Sequence, residues 1–127
     1  MSPWEHFIAK AESMGDLLRL LEKFLSSDDY VEEKNGKMYV VETRVRVDIV
    51  NGYTIEIYAD EHAPPHFHIV KNKKKLAAYT ISDCTKLSGT LSNGIEKKVK
   101  FFHACAQDKL IRFWNDTRPG NCDVGKM

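Results

Sequence analysis

A chain of 127 residues, 43% hydrophobic and 29% charged, is long enough for one ordinary domain to bury a core without disulfide or metal staples. Its three cysteines, Cys84, Cys105 and Cys122, are odd in number and lack CxxC spacing, which argues against a disulfide framework or zinc knuckle and for a reducing, cytoplasmic setting. No basic segment followed by an apolar run opens the chain and no apolar stretch approaches bilayer length, so neither secretion nor a membrane partner is expected.

The net charge of +1 conceals an asymmetry, because residues 1 to 61 carry 7 Lys and Arg against 13 Asp and Glu, whereas residues 62 to 127 carry 12 against 5. Halves of opposite sign either attract each other within one fold or turn a basic face toward a polyanion such as RNA.

In chain order, Ser2 with Glu5 predicts a capping box and Pro3 a first helical position, giving a short helix to about Ser13. Beyond Met14-Gly15, the residues Leu17, Leu18, Leu20, Leu21, Phe24 and Leu25 form the stripe of an amphipathic helix ending near Ser26. That stripe suits packing on the protein's own sheet, or alternatively a partner helix or homodimer.

From Tyr30 to Ala59 the period changes to two. Tyr39, Val41, Val45, Val47 and Ile49 alternate with Glu42, Arg44, Arg46 and Asp48 as one long half-buried strand, with hairpin turns at Asn35-Gly36 and Asn51-Gly52. Tyr53, Ile55, Ile57 and Ala59 keep the odd parity, so the second turn is predicted as a three-residue loop with a glycine bulge.

The segment Asp60-Glu61-His62-Ala63-Pro64-Pro65-His66-Phe67-His68 holds three of the five histidines. Consecutive prolines stiffen it, and the alternation after Pro65 reads as a strand with His66 and His68 on one face and Phe67 and Ile69 on the other. Lys71-Asn72-Lys73-Lys74-Lys75 is then a five-residue hairpin tip that sets Ile69 opposite Ala77 and Phe67 opposite Tyr79, leading into a strand from Leu76 to Ile81. Residues Asp83 to Ser92 read as loop. Asn93 with Glu96 starts a long helix whose stripe is Ile95, Val99, Phe102, Ala106, Leu110 and Phe113, reaching about Asn115 before Thr117-Arg118-Pro119-Gly120 stops it. His103, beside that stripe, is expected as a satisfied semi-buried side chain.

Three chemistries suit the histidine segment. Asp60, His62, His66 and His68 offer the ligand types of a divalent zinc, manganese or iron site able to activate water. Without a cofactor, His62, His66 and His68 could serve as general acid and base on an RNA phosphodiester, with Lys71, Lys73, Lys74 and Lys75 as nucleic-acid contacts. In a structural role, the histidines would hydrogen-bond backbone groups around the proline corner.

The run from Tyr58 to His68, the lysine hairpin, Gly89-Thr90-Leu91 and Phe113-Trp114-Asn115 resemble the family named domain of unknown function 4160, over roughly residues 53 to 116. The resemblance implies a small prokaryotic protein without an established activity, a candidate toxin component paired with an antitoxin-like protein, and Asp60, His62, His66 and His68 as its functional positions. The first fifty-odd residues look like an addition to that short domain. Ser92 and Ala106 take the places where the family's helix often carries a proline and a histidine.

The expected architecture is α+β in a single domain, residues 1–127: N-terminal helices and first strands over 1–52, the histidine-motif region over 53–116, and a tail over 117–127. A mostly antiparallel sheet of about five strands between Tyr30 and Ile81 carries two N-terminal helices and one long C-terminal helix on one face. The functional alternatives are a toxin-like protein acting on RNA or another phosphate-bearing target, and a non-enzymatic protein-binding module with a structural histidine motif.

Overall fold

The structure, a computed structural model, describes residues 2–42, 52–57 and 64–116. Helix α1 (Pro3–Lys10) begins with proline where its missing N–H is harmless. The predicted capping box does not form in its usual sense, since the Ser2 hydroxyl donates to the Glu5 carboxylate at 3.4 Å and caps no backbone N–H. The helix also stops at Lys10 rather than Ser13, because Ser13 is claimed as the cap of α2 (Met14–Ser26), where its hydroxyl accepts from the Asp16 N–H at 3.1 Å.

The leucine stripe of α2 is used internally. Leu17, Leu21, Phe24 and Leu25 are buried in the core, which leaves little of that stripe for a partner.

Among the described residues two antiparallel sheets form: a hairpin of β1 (Tyr30–Lys34) and β2 (Lys37–Val41), and a four-stranded sheet β3-β4-β5-β6 made of β3 (Tyr53–Glu56), β4 (His66–Lys71), β5 (Lys74–Thr80) and β6 (Lys86–Gly89). The fold is therefore α+β with mostly local antiparallel pairing, as expected, and among the described residues its strands fall into a sheet of two and a sheet of four. The β1–β2 hairpin lies against the last helix, not in hydrogen-bonding register with β3. Strand β6 corrects the loop expected from Asp83 to Ser92; all four of its residues are exposed at the sheet edge, so neither face imprinted an apolar period on the sequence. The rest of the long strand predicted through Ile49, the bulged turn at Asn51, and the tail after Asp116 lie outside the described residues.

Two of the described hairpins turn over two residues of positive φ: Asn35 and Gly36 between β1 and β2, Asn72 and Lys73 between β4 and β5. Such turns match the twist of the strands they join. The lysine tip is thus two residues, not five, because Lys71 and Lys74 pair with each other. The predicted Phe67–Tyr79 and Ile69–Ala77 pairings nevertheless hold, since the register shifts after Ile69 and leaves Leu76 as an extra residue on β5. Gly89, at φ +77°, lies against this bulge: a Cβ there would stand 1.9 Å from the Leu76 carbonyl oxygen. Only glycine fits both the conformation and the space.

Helix α3 (Asn93–Asp116) is capped by Ser92 and runs the predicted length. The stripe Val99, Phe102, Ala106, Leu110 and Phe113 is buried, and Phe101 and Trp114 are buried as well. Two lysines of α3 close the helices before it. Lys98 Nζ donates to the Phe24 and Ser27 carbonyls at 3.1 and 2.8 Å, and Lys109 Nζ donates to those of Ala9 and Ala11. Each supplies donors to carbonyls that a helix C-terminus leaves unpaired.

A candidate site on the histidine face of the sheet

From His66 to Ile69 the residues of β4 alternate between half-buried and buried, and Val70, beyond the register shift, is buried as well. Phe67 and Ile69 enter the core, where Phe67 stacks on Tyr79 with ring centroids 6.1 Å apart and Tyr79 donates from its hydroxyl to the Glu96 carboxylate of α3 at 2.7 Å. The helices therefore cover the odd-numbered face. His66 and His68, half-buried, occupy the other face with ring centroids 4.9 Å apart in an edge-to-face arrangement. The predicted division into an apolar and a histidine face is what the strand shows.

A short chain of hydrogen bonds ties this strand to α3. His103, buried, donates from Nε2 to the Ile81 carbonyl at 2.7 Å; the Ile81 N–H donates to the Pro65 carbonyl at 2.9 Å; and His66 Nδ1 bonds the Pro64 carbonyl at 2.8 Å. A carbonyl oxygen only accepts, so His66 carries its proton on Nδ1 and, when neutral, presents the Nε2 lone pair. The corner after β5 is held independently: Asp83 accepts from the Thr80 and Thr85 hydroxyls, which lower its carboxyl below the usual range, and Gln107 of α3 donates to the Ser82 carbonyl. His103 is thus satisfied, as expected, and His66 has the backbone partner that the structural role called for.

Cross-strand register supplies the remaining neighbours. Glu56 of β3 stands opposite His68, which stands opposite Ala78 of β5, itself opposite Ser88 of β6. One row away His66 faces Thr80, and on the other side Thr54, Val70 and Lys75 form the next row. Nothing in the sequence alone singles out Glu56. Its even number placed it simply as the solvent side of a strand, and only the register of β3 against β4 brings it to the histidines.

The four lysines of the hairpin separate. Lys75 shares the histidine face through its pairing with Val70, Lys73 sits in the turn, and Lys71 pairs with Lys74, its ammonium 4.8 Å from the Tyr53 ring centroid. Asp60 and His62 lie outside the described residues. Among the described residues no group of three or more His, Cys, Asp and Glu side chains is placed to hold a metal ion, so His66 and His68 would need ligands from elsewhere, for which Asp60 and His62 are the candidates by sequence. No helix among the described residues is long and apolar enough to cross a membrane.

These features define a small α+β protein whose four-stranded antiparallel sheet carries a pair of imidazoles on the face turned from its helices. The chain belongs to the family described as Domain of unknown function (DUF4160), whose model matches residues 52–115, just over half of its length. The match takes in β3 to β6 and nearly all of α3, and leaves α1, α2 and the β1–β2 hairpin outside. Neither curated proteins nor solved structures provide a match.

Proposed function

We propose that the histidine face acts on RNA or another phosphate-bearing target, in a cytoplasmic toxin-like role with an antitoxin-like protein as its partner. The observation that carries this reading is the pair His66 and His68 on one rigid strand, rings 4.9 Å apart, with Lys75 on the same face. Two imidazoles so placed can divide general base and general acid work, and ammonium groups offset charge developing on a phosphate. In the RNA case one ring removes the 2′-hydroxyl proton, the 2′ oxygen bonds to phosphorus, and the 5′ oxygen leaves with a proton from the other. Lys73 and Lys75 are the phosphate contacts this geometry favours, with Lys71 and Lys74 at the same hairpin end. His62 joins the acid and base set from the adjoining segment. A metal-assisted form adds zinc, manganese or iron at Asp60, His62, His66 and His68, where the ion would lower the pKa of a bound water.

The test is growth arrest and RNA cleavage on expression of wild type and of a His66→Ala/His68→Ala variant. We expect the variant to fold with stability within about 1 kcal/mol of wild type, since neither ring is in the core, and to lose the effect. Full effect in the folded variant overturns the reading. Elemental analysis of untagged protein separates the two forms: near-stoichiometric metal lost in the variant selects the metal-assisted one.

A further inference from the structure

We propose that Glu56 is the positioning residue for His68: its carboxylate accepts the proton of one ring nitrogen and leaves the lone pair of the other facing out from the sheet. This deepens the reading above, in which His68 acts on a phosphodiester.

Glu56 and His68 are directly opposite in the β3–β4 register. Side chains so paired share a face with Cβ atoms about 4.5–5.5 Å apart, a span that a carboxylate and an imidazole bridge readily. Both are half-buried, where a hydrogen bond to a charged acceptor holds better than in open water. On the opposite flank of His68 stands Ala78, which has no polar atom to compete, and beyond it the uncharged Ser88. Among the described residues, the other polar groups one row from the ring are His66 and Thr80 on one side and Thr54 and Lys75 on the other. Lys75 cannot accept a proton at neutral pH, and His66 Nδ1 is committed to the Pro64 carbonyl. Glu56 is the carboxylate among these neighbours, and it stands directly opposite His68.

The two imidazoles then differ in what holds them. His66 rests on a neutral carbonyl and His68 on a carboxylate, which stabilises the ring once it has taken up a proton. That difference assigns roles within the pair, with His68 as base and His66 as acid.

Long-range proton–nitrogen spectra of the imidazoles in the full-length protein, at a pH where both rings are neutral, read the tautomers directly. We expect one tautomer for His68 in wild type, a mixture of two in Glu56→Met, and recovery of the single form in Glu56→Gln, which keeps an oxygen acceptor. His66 keeps its Nδ1–H form throughout. Thr54→Met, on the same strand one row away, leaves both rings as they were and controls for disturbance of the edge. If Glu56→Met does not fold, Glu56→Ala provides the same contrast. A mixture for His68 in wild type, an unchanged His68 in the variant lacking the acceptor, or equal changes in both rings overturns the assignment. Because no substrate enters the measurement, it stands or falls apart from RNA cleavage, which the His66→Ala/His68→Ala variant tests.

Discussion

The two faces of β4 are built from alternate residues of the same six-residue strand, and they are anchored in different ways. Phe67 and Ile69 are held by close packing against Tyr79 and the helices, a non-directional contribution that scales with the apolar area removed from water. His66 is held by a directed bond to a carbonyl two residues back, and the backbone at that point by the Ile81–Pro65 link to α3. The first face makes the fold and the second spends little of its stability. A strand that is locked from behind can present polar groups in front without their having to hold it.

Substitutions on the core side cost the most. Phe67→Ala removes a buried ring from the stack with Tyr79 and leaves a cavity in the core. We expect a loss of about 3–5 kcal/mol, read by urea unfolding, with the histidine face lost as the sheet unfolds. A loss no larger than that of His66→Ala/His68→Ala would mean that the two faces contribute alike.

Much of this division is legible in the sequence because a strand's period of two writes its two environments into odd and even positions. The stripe of α2, the parity of Phe67 and Ile69 against Tyr79 and Ala77, and the run of α3 all follow from periodicity, which burial imposes directly. Glu56 and β6 do not. Glu56 acquires its meaning only from the register with His68, a relation between strands about ten residues apart in sequence, and Lys86–Gly89 is an edge strand with no buried face to leave a pattern. The bulge at Leu76 is hidden for a related reason: it restores the parity that the two-residue turn had changed, so the strands look as if a longer tip joined them. The lysines were equally opaque. Composition marks the basic half, but only the fold shows that Lys98 and Lys109 serve the ends of α2 and α1 instead of a phosphate.

Lys98 combines the two kinds of anchoring. It is a directed anchor placed on the core side, buried, with its ammonium on two carbonyls and 5.4 Å from the Phe24 ring centroid. Burial lowers its pKa, while Asp29 and Asp28 act to raise it. Lys98→Met keeps the apolar stem and removes the charge, so two carbonyls lose a donor while a desolvation cost is relieved. Hydrogen bonds to charged groups contribute about 1.5–3 kcal/mol each and the relief offsets part of that, for an expected net loss of about 1–2 kcal/mol. Urea unfolding measures the total, and amide exchange should show the last turn of α2 opening first. A variant as stable as wild type would show that packing alone fixes the α2–α3 contact.

Alkaline pH again acts on the core side. Burial pushes the Cys84 thiol up to about 11, and burial together with the Glu96 carboxylate raises the Tyr79 phenol well above its ordinary 10.0. Both groups keep their protons in the folded chain at pH values where the unfolded chain has released them. The unfolded state then binds fewer protons, so stability falls as pH rises, starting near 9 for Cys84 and near 10 for Tyr79. Nothing from these two groups changes through neutrality, where both states hold the same protons. Urea midpoints measured from pH 7 to 11 should decline from about pH 9 in wild type and more shallowly in Cys84→Ala, which keeps the residue's positive φ without its thiol. Superimposable curves would place the Cys84 thiol in contact with solvent, and the turn that follows β5 would then be looser than its bonds to His103 and Gln107 imply.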